Sequence, residues 1–212
     1  MSHVVVVDYG MGNLRSVAKA LEYVADGHTI EVSDVPERLA AADKVVFPGQ
    51  GAMRDCMREI DARGLREAVV HAARNKPFLG LCIGLQLLFD HSEEGDTAGL
   101  GILSGQVKKF PAEGMVDAIG SRLKVPHMGW NEVHPHQPHP LWEGIEDGTR
   151  FYFVHSYYVQ PDHSKVIAAH SAYPFEFACA ASQDALFAVQ FHPEKSDRAG
   201  LKLLSNFLTW AP

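Results

Sequence analysis

The chain has 212 residues, 46% hydrophobic and 21% charged, with a formal net charge of −7. That length and apolar content suffice for one sizeable core, so a single domain over residues 1–212 is expected. The acidic balance argues against a general nucleic-acid binder, and no window approaches the roughly 18 apolar residues of a membrane span.

The first half alternates regularly. Val4–Asp8 is a continuous β-branched run, as in a strand buried on both faces. Within Asn13–Val24, Leu14, Val17, Ala18 and Leu21 recur at helical spacing. Thr29–Val32 reads as a short strand and Pro36–Ala42 as a short helix with proline at its start. Lys44–Pro48 is another apolar strand, and Met53–Ala73 is helical with a break near Gly64. Strand Phe78–Cys82 and helix Gly84–His91 follow. Repeated β-α units predict a parallel sheet with helices on both faces.

From Gly95 to Gly148 the chain is rich in Gly, Pro and His, and only short strands are expected. Phe151–Val159, Val166–Ala169, Phe177–Ser182 and Leu186–Gln190 read as later strands, partly antiparallel, and Asp197–Trp210 as a closing helix. The predicted architecture is α/β: a flavodoxin-like, open, mixed but mostly parallel sheet. Ligands in such sheets bind at the carboxyl ends of the strands. Asp8–Asn13, Pro48–Gly51, Cys82 and His192 all fall there.

The most specific motif is Gly80-Leu81-Cys82-Ile83-Gly84, set between a strand and a helix. It is the thiol version of the nucleophile elbow. Its glycines remove the Cβ atoms that would crowd so sharp a reversal, and a helix N-terminus favours thiolate. A thiolate needs a base, and the base needs an orienting group. His192-Pro193-Glu194 supplies both, because residues i and i+2 of an extended segment project to one side. Pro193 biases His192 toward that geometry. Cys82, His192 and Glu194 are therefore the candidate catalytic triad. Pro48-Gly49-Gln50-Gly51 turns at another strand end, where backbone N–H groups of Gly49–Gly51 can join that of Ile83 around an oxyanion.

The other groups are less specific. Cys56, Cys82 and Cys179 are odd in number and far apart, so no disulfide framework is expected, and a reducing cytoplasm fits. His127, His134, His136 and His139 match no zinc spacing, and the prolines among them suggest an irregular surface loop. No metal site is expected. Gly10-Met11-Gly12-Asn13 lacks the third glycine of a dinucleotide fingerprint, so no such cofactor is expected either.

Together these residues resemble the class I (triad) glutamine amidotransferase family over essentially the whole chain. The cysteine and His-Pro-Glu motifs mark the superfamily. Asp8-Tyr9-Gly10-Met11-Gly12-Asn13-Leu14 and Pro126-His127-Met128-Gly129-Trp130-Asn131 are similar to its histidine-biosynthesis branch. The resemblance implies glutamine as substrate, hydrolysed to glutamate and ammonia. It also implies a heterodimer with a (β/α)₈-barrel cyclase subunit, HisF, that consumes the ammonia. It assigns Gln86, Glu94 and the backbone of His155, Ser156 and Tyr157 to the substrate. Asn13, Arg15, Trp130, Asn131 and Lys195 are assigned to the cyclase side. Gln50 replaces the small apolar residue usual in the family, at a place where backbone does the work. The motifs leave three other readings beside this one: the glutaminase serving pyridoxal phosphate synthesis, a cysteine peptidase or thiol hydrolase of similar fold, and a flavodoxin-like binding module.

Overall fold

Four short strands, buried on both faces, carry the centre of the molecule: β1 (His3–Val7), then, after helix α1 (Leu14–Tyr23) and strand β2 (Thr29–Ser33), helix α2 (Pro36–Ala41) and β3 (Lys44–Phe47). Helices α3 (Met53–Ala62) and α4 (Arg66–Asn75) lead to the third, β4 (Phe78–Leu81), and the last is β13 (Leu186–Val189). Val4–Val7, Val45–Phe47, Phe78, Leu79 and Phe187–Val189 are all fully buried. Such unbroken apolar runs are what two-sided coverage requires. The computed structural model describes residues 1–111, 113–116 and 119–212.

The remaining elements are helix α5 (Ile83–Gln86), β5 (Phe89–Ser92), β6 (Thr97–Ala98), β7 (Leu103–Lys109), β8 (His127–Pro135), β9 (Thr149–His155), β10 (Tyr157–Pro161), β11 (Ile167–Ala172), β12 (Glu176–Gln183) and helix α6 (Asp197–Thr209). The sheet runs β2-β1-β3-β4-β13-β12-β10-β7-β5-β6, with β11, β8 and β9 branching from β12. Its first five strands are parallel, in the doubly wound order of flavodoxin. The later strands extend it mainly by antiparallel pairing.

Helices cover both faces, as the β-α alternation predicts. Val17 and Leu21 of α1 share one core with Leu203 and Phe207 of α6; Leu39 of α2, Ile60 of α3 and Val69 of α4 share the other. Asn13 caps α1 through its side-chain oxygen, which accepts from Ser16 N. Lys44 is buried at the start of β3, and its ammonium donates to the Phe207 and Trp210 carbonyls at the end of α6. No helix is long and apolar enough to cross a membrane among the described residues.

Three sequence expectations need correction. The helix expected over Gly84–His91 stops at Gln86, and β5 begins at Phe89. Leu85, Leu87, Leu88 and Phe89 are all fully buried, so no face is left to meet water. The Leu87 and Leu88 carbonyls accept from Leu100 N and Ile102 N instead of from a further helical turn. The histidine- and proline-rich stretch is not a loop throughout: His127–Pro135 is a nine-residue strand paired with β9. Its composition hides this, because the pairing is dictated by the aromatic strand opposite. The single strand expected over Phe151–Val159 divides at Ser156, where the chain passes from β9 to β10.

Candidate active site

Cys82 stands between β4 and α5 with φ +54° and ψ −109°, a conformation that L residues rarely adopt. Such strain, of order 1–3 kcal/mol, persists where the surroundings fix it and is characteristic of functional turns. Here its own N–H is held by the Val189 carbonyl of β13 at 2.8 Å. Both flanking glycines are sterically required. A Cβ on Gly84 would collide with the Phe47 carbonyl of β3. One on Gly80 would come within 2.9 Å of Ala188 Cβ. Any larger residue would push the elbow off the sheet.

His192 follows β13 in extended conformation, its N–H bonded to Tyr152 O at 2.9 Å. The chain then turns through one 3₁₀ turn over Pro193–Lys195. Glu194 is thus reached through a turn, and not along the extended segment that the i, i+2 spacing suggests. The outcome for the side chains is the same: His192 Nδ1 lies 2.8 Å from Glu194 Oε1, with both side chains almost fully buried. A carboxylate only accepts, so Nδ1 carries the proton and Nε2 of the neutral ring is a lone pair. Nε2 is buried with no formed hydrogen bond and lies beside Cys82.

Burial is the largest single influence on this imidazole and opposes its charge. The charge of the Cys82 sulfur and its hydrogen-bonding reach, followed by the hydrogen bond and charge of Glu194, outweigh it and push His192 up to about 10. The cation is therefore favoured when the sulfur is thiolate, which is what a base that takes the thiol proton requires. The linkage sign follows. A raised histidine stabilises the fold fully below its unfolded value near 6.5, and the stabilisation is lost as pH rises toward about 10. Wild-type stability should fall between pH 7 and 10 more steeply than that of His192→Asn, as measured by chemical denaturation at each pH. Parallel curves would refute the linkage.

Cys82, His192, Gln86, Glu94, Gln50, Gly51, Ile83 and the His155–Tyr157 segment line one cavity of about 280 Å³. Cys82 and His192 thus share this cavity with the side chains of Gln86 and Glu94, while Glu194 stands outside the lining, against His192 Nδ1. Gln86 is buried; its Nε2 donates to Gln190 Oε1 at 2.9 Å and to Tyr157 O at 3.3 Å, while its Oε1 has no partner. A buried acceptor without a donor is costly unless a ligand supplies one. Glu94 accepts from Met53 N at 2.7 Å, so one carboxylate oxygen is spent on the start of α3. Gly49 packs so closely that a Cβ would collide with the Tyr9 hydroxyl, which itself donates to Pro48 O at 2.9 Å. Ile83 opens α5, so its N–H lies ahead of the helical ladder.

Gln190 escaped the sequence reading. It is fully buried, and its Nε2 donates to Cys82 Sγ at 3.8 Å while Gln86 holds its oxygen. The available signal was an amide closing the otherwise apolar strand Leu186–Val189. Of the residues assigned to the partner side, Asn13 and Arg15 are exposed and Lys195 is half-buried. Trp130 is 50% exposed on β8, which rules out a core role. Asn131 lies beside it, tied to Ala172 O. His139 is largely buried against Phe187 and Trp210, His134 pairs with Asp147, and no metal-holding group of three occurs among the described residues. Burial pushes the Cys56 thiol up to about 11 and the Cys179 thiol higher still, which makes both poor nucleophiles.

A strained cysteine at the carboxyl edge of a doubly wound sheet, beside a carboxylate-oriented imidazole, has the geometry that thiol-dependent acyl transfer requires. The family model described as glutamine amidotransferase class-I matches residues 5–210, and the chain belongs to that family. The imidazole glycerol phosphate synthase subunit HisH of Thiobacillus denitrificans is 66% identical over 209 residues, 99% of this chain and 92% of that protein. The protein of the same name from Aromatoleum aromaticum is 63% identical over 212 residues, with both chains covered completely. Among solved structures, PurLQS from Thermotoga maritima is similar in fold, with TM-score 0.70 at 17% identity, over 98% of each chain.

Proposed function

We propose that this chain is the glutaminase subunit of an imidazole glycerol phosphate synthase and acts as a cytoplasmic heterodimer with a (β/α)₈-barrel cyclase, HisF. The observation that carries the reading is identity above 60% along the whole length with relatives of that name. The site chemistry agrees. His192 Nε2 takes the Cys82 proton, and the thiolate attacks the side-chain amide carbon of glutamine. The resulting oxyanion is met by N–H groups of the Gly49–Gly51 segment and of Ile83. The imidazolium returns its proton to the leaving nitrogen as the C–N bond breaks, giving ammonia and a thioester. Water then attacks the thioester carbon, its proton passing to His192, and glutamate leaves as the proton returns to sulfur. Gln86 Oε1 and Glu94 hold the polar end of the substrate, with the backbone of His155, Ser156 and Tyr157 beside it. Gln190 steadies the sulfur.

Ammonia must reach the cyclase uncharged and shielded from water, which calls for a docked surface. Met128 and Trp130 are large exposed apolar side chains next to one another on β8, of the kind that anchors interfaces. Together with Asn13, Arg15, Asn131 and Lys195 they form the partner side in this reading. A lone glutaminase wastes glutamine, so activity is expected to depend on the cyclase. An oxyanion donor presented only in the complex accounts for a rise of about 10²–10³-fold. Glutamate release by the chain alone and by the chain mixed with the cyclase and its nucleotide substrate tests this. Equal rates would overturn the dependence, and activation by the barrel subunit of pyridoxal phosphate synthesis would move the chain to that pathway.

A further inference from the structure

Behind the cavity wall lies a run of hydrogen bonds that the mechanism does not use. His127 and His155 face each other across the β8–β9 pair, with His127 Nδ1 2.9 Å from His155 Nε2. His155 Nδ1 lies 2.7 Å from Tyr157 O. On the other side, His127 Nε2 lies 3.2 Å from Asn131 Nδ2. Both rings are buried, and burial holds both imidazoles well below their usual range, so both are neutral.

Neutral rings and the ends of the run fix every proton. Tyr157 O only accepts, so His155 Nδ1 donates and His155 Nε2 is a lone pair. His127 Nδ1 must then donate to it, which leaves His127 Nε2 as an acceptor for the Asn131 amide. Asn131 can supply that donor because its oxygen takes Glu132 N at 2.9 Å and its other N–H goes to Ala172 O. The ring of His127 cannot swing away: Tyr173 stacks on it at 4.0 Å and Phe153 at 4.9 Å. At the far end, Tyr157 O also accepts from Gln86 Nε2, whose second N–H is taken by Gln190. Both amide protons being engaged there, Gln86 Oε1 is left without a donor in the cavity wall.

We infer that His127 and Asn131 are positioning residues for glutamine. Through His155 they pin the Tyr157 carbonyl, and that carbonyl fixes the Gln86 amide so that its oxygen meets a donor group of the substrate. Neither residue touches substrate in this arrangement. The inference rests on the glutaminase reading above for the identity of the ligand, but not for the run of protons.

The test has two arms. Nitrogen-15 NMR of the imidazoles in the wild-type complex with the cyclase should show both His127 and His155 neutral, with the proton on Nδ1 and a bare Nε2. An Nε2–H tautomer on either ring overturns the relay, whether or not glutamine is the substrate. In the same complex, His127→Phe keeps the stacking but removes the donor. It should raise KM for glutamine about tenfold or more, the usual cost of leaving a buried acceptor unpaired, with kcat changed less than about threefold and ammonia-dependent synthesis intact. Asparagine places its amide near the Nδ1 position, so His127→Asn should recover most of the loss; glutamine places it near Nε2, so His127→Gln should not. An unchanged KM in His127→Phe, or a fall in kcat at constant KM, would refute the assignment. Should His127→Phe fail to fold, Asn131→Ala, assayed at saturating cyclase so that weakened docking does not contribute, is expected to raise KM in the same sense, and an unchanged value would count against the relay. Absence of turnover in the wild type would instead dispose of the glutaminase reading, with the NMR arm still deciding the proton run.

Discussion

Cys82→Ala is expected to remove glutamine hydrolysis, by a factor on the order of 10⁴–10⁶, while the assembled pair still makes its product from added ammonia. The selectivity follows from the position of the side chain. In the proposed mechanism the sulfur is needed only to form the thioester, and ammonia supplied from solution enters downstream of that step. The substitution is also structurally mild. Alanine keeps the Cβ and the same strained backbone, and the elbow is held by Val189 O and the packing of Gly80 and Gly84, not by the sulfur. The measurements are glutamate release, ammonia-driven synthesis, and covalent labelling by an electrophilic glutamine mimic followed by mass spectrometry. Wild type should be labelled at Cys82 and protected by glutamine. A wild-type rate in the variant would transfer the nucleophile elsewhere. Neither other cysteine suits: Cys179 is fully buried, and Cys56 is buried with its Sγ 3.8 Å from the Gln50 carbonyl.

How much of this site was legible in the sequence depends on how local its causes are. The elbow was readable because its requirement is steric and contiguous: two glycines around one residue forced into an unusual backbone. The β-α order of the first half was readable because buried parallel strands are unbroken apolar runs. By contrast, α5 ends after one turn because the Leu87 and Leu88 carbonyls accept from N–H groups of residues 100–103, and a helical period does not record which neighbour takes a carbonyl. Strand β8 is hidden for a similar reason. His127, Gly129 and Pro135 suggest a loop, and only the register with Thr149–His155 makes them a strand. For Gln190 the sequence offers only an amide at the end of an apolar strand, and for the side-chain pairing of His127 with His155 it offers nothing, because their partners are distant in sequence. Gln190 meets Gln86 across 104 positions, and a buried amide or imidazole discloses its role only when its acceptor is known.

The triad's interdependence gives the second large effect. On the proposed mechanism His192→Ala removes both the base that activates Cys82 and the acid that protonates the leaving nitrogen, so glutaminase activity should fall by at least the 10²–10⁴-fold of general acid–base catalysis. Glu194→Gln keeps the shape but replaces an anion with a neutral amide whose N–H₂ can turn toward Nδ1. That loses the charge that supports imidazolium and admits the tautomer with its proton on Nε2, where a lone pair is required. A loss of about 10²–10⁴-fold is expected, by the logic of misoriented histidine in triad enzymes. The combined variant is the sharper measurement. The carboxylate acts only through the imidazole, 2.8 Å away, so once His192 is absent Glu194→Gln should cost almost nothing further. Steady-state glutaminase rates of the complex with each single variant and the double variant decide it. Losses that multiply would mean that Glu194 acts on substrate or fold independently of His192, and the orienting role would be lost.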